Sequence, residues 1–375
     1  MAGAILKQST CAAALMLAAA GTAAAADLGG IPVFGKVTTR LQNDYALREG
    51  AKDYTSYGNN LYAEIEPEFV IKAAPNLSFE FGAKLEQIHS REVGDNQYFA
   101  HEGAYVSTLQ GVYEVGGVTF NAGKFTAPFG FGPDDAPGLF GDTYLENYEL
   151  AERLGVGAAT EFQFKGAVKL GVAVSLFTRD RTTLAETAFT KRRTLRLADG
   201  GPGNTAGLSN WSAVVDVEDI RGLPDLHIKG SFLRQKAGEN DAKGQRAWAI
   251  GAEWEKAFEA GFSVRPMAEF VHADGASGFN EATGGNGISE DILTAGIGFG
   301  YDRWNASFTR GRRYIGQAGP EGEDPASPVN DTFWQVGLGY AFVDGITVDT
   351  AYGYIEDGGA ISRTIGARIK HSFEF

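Results

Sequence analysis

From Ile31 to the last residue, apolar and polar side chains alternate with a period of two, in segments about ten residues long. Leu77, Phe79, Phe81, Ala83 and Leu85 alternate with Ser78, Glu80, Gly82, Lys84 and Glu86. Val168, Leu170, Val172, Val174 and Leu176 alternate with Lys169, Gly171, Ala173 and Ser175, and Trp248, Ile250, Ala252 and Trp254 repeat the pattern. In a strand, successive side chains point to opposite faces, so each segment has one apolar face. Sixteen such segments start near residues 32, 59, 76, 103, 117, 153, 167, 211, 225, 245, 261, 290, 303, 331, 345 and 361. A helical membrane protein would need runs of roughly 20 mostly apolar residues, and none lies beyond the first 26 positions. Glycine, 51 of 375 residues, stands at about twice its usual share and weakens helices wherever it falls. The pattern predicts an all-β chain, and an even number of ten-residue alternating strands fits a closed antiparallel transmembrane barrel.

The connections sort by length. Tight links fall at Ala74-Pro75-Asn76, Val115-Gly116-Gly117, Lys165-Gly166, Gly222-Leu223-Pro224, Phe258-Glu259-Ala260, Asp302-Arg303 and Val343-Asp344-Gly345, with longer polar loops between them. A barrel threaded from one side of a membrane has short turns on that side and long loops on the other. A soluble β-sandwich would not sort its loops this way. Trp211, Trp248, Trp254, Trp304, Trp334, Tyr301, Tyr340, Tyr352 and Tyr354 fall near strand ends or on the apolar face, where amphipathic rings favour a membrane interface.

Residues 1–26 carry Lys7, an apolar stretch from Cys11 to Ala20 and a closing run of alanines before Asp27, the pattern of a secretory signal. Cys11 could instead be a lipoprotein acceptor, but it sits at the front of the apolar stretch. Cleavage would leave 27–375 as a single domain with no cysteine, excluding a disulfide scaffold or a thiol enzyme. It would also remove one lysine and no acid, moving the net charge from −14 to −15. Nucleic acid is excluded as a partner, because phosphate contacts need clustered Lys and Arg.

The chain ends Ile369-Lys370-His371-Ser372-Phe373-Glu374-Phe375, a terminal Phe with aromatic or apolar residues at alternate positions before it. This resembles the C-terminal signal of Gram-negative outer-membrane barrels, and over the mature chain the architecture resembles the sixteen-stranded porins, with some likeness to their substrate-selective branch. The resemblance implies a bacterial outer-membrane location, recognition of Phe375 by the barrel-assembly machinery, lipid and lipopolysaccharide as neighbours, a homotrimer, and a third long loop folded inward as a constriction. Here that loop runs from Thr126 to about Glu152. Its Pro128-Phe129-Gly130 and Phe140-Gly141-Asp142 pieces resemble a porin constriction loop, although the full family motif is absent.

With apolar positions facing lipid, their neighbours line the lumen: Lys36 and Arg40; Glu64, Glu66 and Glu68; Glu80, Lys84 and Glu86; Lys169; Lys229; Arg265; Arg368 and Lys370. The third loop adds Asp134, Asp135, Asp142, Glu146, Glu149 and Glu152, with Arg153 at its exit. Acids on the loop facing Lys and Arg on the wall would set a transverse field and govern ion selectivity. The alternative is that these carboxylates only solvate an external loop. The fourth loop holds Arg179, Arg181, Lys191, Arg192, Arg193 and Arg196, forks suited to phosphate or carboxylate, on lipopolysaccharide or on a solute. The alternative there is a solvated loop.

No catalytic set is legible. The five histidines, at 89, 101, 227, 272 and 371, show no paired metal spacing, and His89, His101 and His272 read as rim residues. Gly284-Gly285-Asn286-Gly287 reads as loop punctuation, and Glu321 to Asp331 lacks an ordered calcium-ligand spacing. No cofactor or metal is expected, nor an energy-coupling plug, since the first strand follows Asp27 closely. The expected function is passive diffusion of small hydrophilic solutes and ions with a slight cation preference. The alternatives are a receptor or adhesin using its outer loops, or an anion-selective, phosphate-type channel using the basic fourth loop.

Overall fold

A computed structural model describes residues 26–27, 30–51, 56–164, 168–239, 241, 243–276, 288–316, 329–342 and 345–375. Residues 1–25 of the expected signal, Gly284 to Gly287 and 321–328 of the acidic stretch lie outside them. Sixteen long strands carry the fold: β1 (Pro32–Ala51), β2 (Ser56–Ala74), β3 (Leu77–Gln87), β4 (Glu102–Val115), β5 (Val118–Ala127), β6 (Leu150–Phe164), β7 (Val168–Arg179), β8 (Asn210–Glu218), β9 (Leu226–Gln235), β10 (Gln245–Trp254), β11 (Phe262–Ala276), β12 (Ile288–Tyr301), β13 (Trp304–Gly316), β14 (Val329–Ala341), β15 (Ile346–Asp357) and β16 (Ala360–Glu374). Their starts fall within three residues of the expected ones. The shortest has 9 residues and the longest 20, enough for a tilted strand to cross a bilayer.

Each strand pairs antiparallel with the next, and β16 returns to β1 from Lys36↔Glu374 to Ala51↔Ala360, so no strand edge stays open. Closure is what allows a sheet to lie in lipid, because every ladder hydrogen bond is made within the protein. Two connections differ from the expected alternation. Only residues 52–55 separate β1 from β2, and Gly358 and Gly359 alone separate β15 from β16. Pairing continues to the strand tips there. The glycine pair has φ of +56° and +83°, the positive φ that a two-residue hairpin turn needs at both central positions. Gly116 and Gly117, at +60° and +79°, do the same between β4 and β5.

The outer surface is apolar, with Val174, Leu176, Ile250, Leu293, Val336, Leu338, Ile365 and Ile369 exposed at alternate positions. Near the short turns it is rimmed by Tyr301, by Phe262 packed on Phe299, and by Trp304 packed on Tyr340. Near the long loops, Trp211 stacks on Phe232 and Trp334 on Tyr354. These are the two aromatic girdles of a transmembrane barrel.

Candidate functional site

The third long loop, 128–149, turns into the barrel and docks on the far wall. Three short 3-10 turns, Pro133–Asp135, Gly141–Tyr144 and Glu146–Tyr148, give it a compact path. Gly130 N–H donates to Ser231 Oγ of β9 at 3.0 Å, and Phe131 N–H donates to Glu269 Oε1 of β11 at 2.7 Å. The Tyr148 hydroxyl donates to the other Glu269 oxygen. The Pro137 carbonyl accepts from Thr309 Oγ1 of β13 and, at 3.0 Å, from Gln335 Nε2 of β14.

Beside these polar anchors, the wall that receives the loop carries an apolar patch inside as well as an apolar face outside. Leu233, Ala247, Ala249, Val271, Ala273, Ile292 and Phe333 face inward and form one buried cluster with Phe125, Phe129, Tyr144 and Leu150. Strand-interior glycines make room for the loop's rings. A Cβ on Gly251 would lie 2.4 Å from the Phe131 ring, on Gly311 2.4 Å from Tyr144, on Gly366 2.6 Å from Phe140 and on Gly296 2.7 Å from Pro137. Each fully buried ring contributes about 1.5–3 kcal/mol. Gly138 approaches closest: with φ at +107°, its Cβ would sit 1.8 Å from Gln335 Nε2.

On the opposite side the loop stands clear of β1–β4, leaving a cavity of about 780 Å³. The wall contributes Asp44, Glu64, Glu66, Glu68 and Glu86, with Glu152 at the root of β6, and the loop contributes Asp142, Glu146 and Glu149. Against these nine carboxylates stand only Arg40, Lys84 and Arg368. The bases are interleaved with acids. Arg40 Nη1 lies 3.1 Å from Glu64 and 2.6 Å from Glu66, Lys84 lies 3.2 Å from Glu66 and 3.0 Å from Glu86, and Arg368 lies 3.2 Å from Asp349. The expected transverse field, acid on the loop against base on the wall, is therefore not the arrangement here. Both sides are acidic, because each wall base sits among carboxylates on its own or neighbouring strands. Burial raises the Asp142 carboxyl to about 7; Glu146 adds to the rise and Arg368 opposes it. Burial also raises Glu146, with Lys84 opposing.

The remaining predicted lining residues divide by place. Asp135 lies away from the cavity: it caps Gly132 N–H at 2.7 Å and faces Arg265 at 3.7 Å on the docked side. Arg265 is held at 2.9 Å by Glu253. Lys229 stands 5.0 Å over the Phe131 ring, also on the docked side. The backbone of Asp134 lies in the first 3-10 turn, and its side chain is outside the described residues. Lys36, exposed, and Lys169, between Glu161 and Glu218, lie near the short-turn end. Lys370 is the cross-strand partner of Arg40. Glu80 accepts from Gln110 at 2.7 Å.

The fourth loop is built into the mouth and is not a free basic patch. Arg192 forks onto Glu152, lies 4.1 Å over the Tyr105 ring and donates Nε to Ala185 O at 2.8 Å. Arg181 donates to Thr205 O at 2.9 Å, Arg193 pairs with Asp199, and Arg196 N–H is capped by the same Asp199. The carbonyl of Lys191 lies 3.2 Å from His89 Nε2. Arg179 ends β7 on its inward face. Beneath the loop, Lys124 is fully buried, 2.7 Å from Glu152 and 2.8 Å from Asp180.

Sequence reasoning missed Glu269, Gln335, Lys124 and the glycine row. Their signal was present as glycine inside strands, which marks close backbone approach, and as strands apolar on both faces, such as Phe232-Leu233, Phe270-Val271 and Ile292-Leu293.

No protein-family model matches the chain, and no curated protein does. Solved structures do. It is similar to the outer-membrane channel DcaP of Acinetobacter baumannii at 13% identity and TM-score 0.59, covering 94% of this chain and 100% of that one. It is similar to Salmonella typhi OmpF, solved with daunomycin, at 10% identity and TM-score 0.60, covering 92% and 97%. A trimer form of the Vibrio cholerae outer-membrane protein OmpT matches at 11% identity and TM-score 0.51, covering 92% and 100%. The fold is that of bacterial outer-membrane channels. In an outer-membrane barrel, short turns and long loops occupy opposite sides of the bilayer, so the acidic cavity and the docked loop lie within the barrel's depth.

Proposed function

We propose that the chain is an outer-membrane porin that lets small hydrophilic solutes and ions diffuse passively, with loop 128–149 as the constriction and a slight cation preference. The observation that carries this reading is the one-sided docking of the loop, which closes the β9–β16 side and leaves an open cavity lined by nine carboxylates and three bases. Rings of one charge sign set ion selectivity in this way. The long-loop end faces outward, and residues 1–26 are a secretory signal that is removed. A homotrimer, lipopolysaccharide contacts and recognition of Phe375 by the assembly machinery complete the proposal, the trimer supported by the OmpT form above. Single-channel current of the refolded protein in a planar bilayer, with the reversal potential read under a salt gradient, tests it. Stable open steps with a cation-side reversal are expected. Silence from correctly folded barrels would overturn conduction, and an anion-side reversal would overturn the selectivity.

A further inference from the structure

Above the docked loop, at the long-loop end, Arg153 of β6 and Arg179 of β7 are direct cross-strand partners on the inward face. They line a second cavity, of about 290 Å³, together with Glu149 and Glu290. Among the described residues neither guanidinium has a carboxylate within ion-pair distance. The Nε of Arg153 is buried and has no hydrogen-bond partner. Like charges directly opposite on neighbouring strands repel, and a buried donor left unmatched costs about 1–3 kcal/mol. Other arginines at this end of the barrel are paired with acids: Arg192 with Glu152, Arg193 with Asp199 and Arg313, on β13, with Asp331. A pair with no carboxylate in direct contact and lining a cavity has donors for an incoming oxyanion, which two guanidinium forks hold well.

The rest of the cavity narrows the ligand. Glu149 and Glu290 lie in the same space, Glu290 3.9 Å from Arg313, and they disfavour a dianion such as phosphate while favouring a cationic group on the same molecule. The floor is the apolar inner wall, where Leu233 and Val271 are each 2 % exposed. The volume sits at the bottom of the roughly 300–1,000 Å³ range of small-molecule sites. We propose that this cavity is a solute subsite for small zwitterions with an apolar side chain, aliphatic amino acids or peptides of two residues. Arg153 and Arg179 would hold the carboxylate, and Glu149 and Glu290 would face the ammonium. The inference deepens the passive-diffusion reading and rests on it, because the subsite stands in the outer vestibule of the same passage.

The test uses the full refolded chain in a planar bilayer at pH 7 and constant ionic strength, with L-leucine, acetate and n-butylammonium as probes. L-leucine should lower or modulate the open current at a concentration at least about tenfold below that needed for either single-charge probe. Arg153→Gln and Arg179→Gln should each raise that half-effect concentration about tenfold, the size of one charge-assisted hydrogen bond. Arg193→Gln, on the exposed side of the fourth loop, should leave it unchanged. If Arg153→Gln does not fold, Arg179→Gln carries the comparison, and ligand-observed NMR on the folded protein in micelles reads leucine binding without any current. Open steps that leucine affects no more than acetate, or no shift in either arginine variant, would overturn the subsite while leaving conduction in place. Leucine binding by NMR with no open steps would do the reverse.

Discussion

The two sides of loop 128–149 use opposite chemistry. Toward β9–β16 the contact is direct: rings sit over glycines, one buried carboxylate takes two donors, and one carbonyl takes two more. Toward β1–β4 a cavity of about 780 Å³ intervenes, and charged side chains fill the wall. The same barrel wall, with the same alternation and the same lipid outside, is a docking surface on one arc and the lining of an acidic cavity on the other. The difference lies in the inward residues alone, and lipid places no demand on those.

The largest effect should come from the docked side. In Glu269→Ala, Phe131 N–H and the Tyr148 hydroxyl lose their acceptor, at about 1–3 kcal/mol for each buried group. The loop should then leave the wall in a measurable fraction of molecules, seen as rapid large current fluctuations and as protease cleavage within 128–149 that the parent resists. A steady current would show that the apolar seats alone hold the loop. Gly311→Val tests those seats. It forces an added side chain into the Tyr144 ring, an overpacking of about 1–3 kcal/mol, and should lower the thermal unfolding temperature while raising the current noise.

Next in size comes the open side. Glu64→Gln together with Glu66→Gln removes two negative charges beside Arg40 and one of the two beside Lys84. The reversal potential should then move toward the anion side, a roughly threefold change in permeability ratio at low salt that shrinks as salt screens it. No movement would mean that ions pass elsewhere. The smallest expected effect is that of pH. With Asp142 raised to about 7, it is neutral well below that pH and charged well above it. Cation preference should therefore rise as pH passes upward through about 7, and Asp142→Asn should flatten that part of the profile.

The strands were legible because lipid enforces their pattern: a polar residue facing outward is expensive, so parity survives in the sequence from Leu77 to Ile369. Arg40, Glu64, Glu66, Lys84, Asp142, Glu146, Glu149 and Arg368 line one cavity. The sign of the field was not legible, because it depends on which arc the loop covers, and that is fixed by contacts such as Phe131 to Glu269, 138 residues apart. The fourth loop misled for a similar reason. Arg192 reads as a free fork until Glu152, 40 residues earlier, is brought beneath it.

Glu152 bears on how the mouth can move. It stands at the root of the third loop with a left-handed φ of 54°, unusual for a residue with a side chain, and is clamped from one side by Lys124 and from the other by Arg192 of the fourth loop. Lys124 in turn holds Asp180, where the fourth loop begins. Four side chains thus tie the roots of both loops to β5 and β6. The third and fourth loops therefore share one anchorage where the chain suggests two. A pull on the fourth loop bears on the root of the third through contacts less than 3 Å long, carried by Lys124 of β5 and Glu152 of β6.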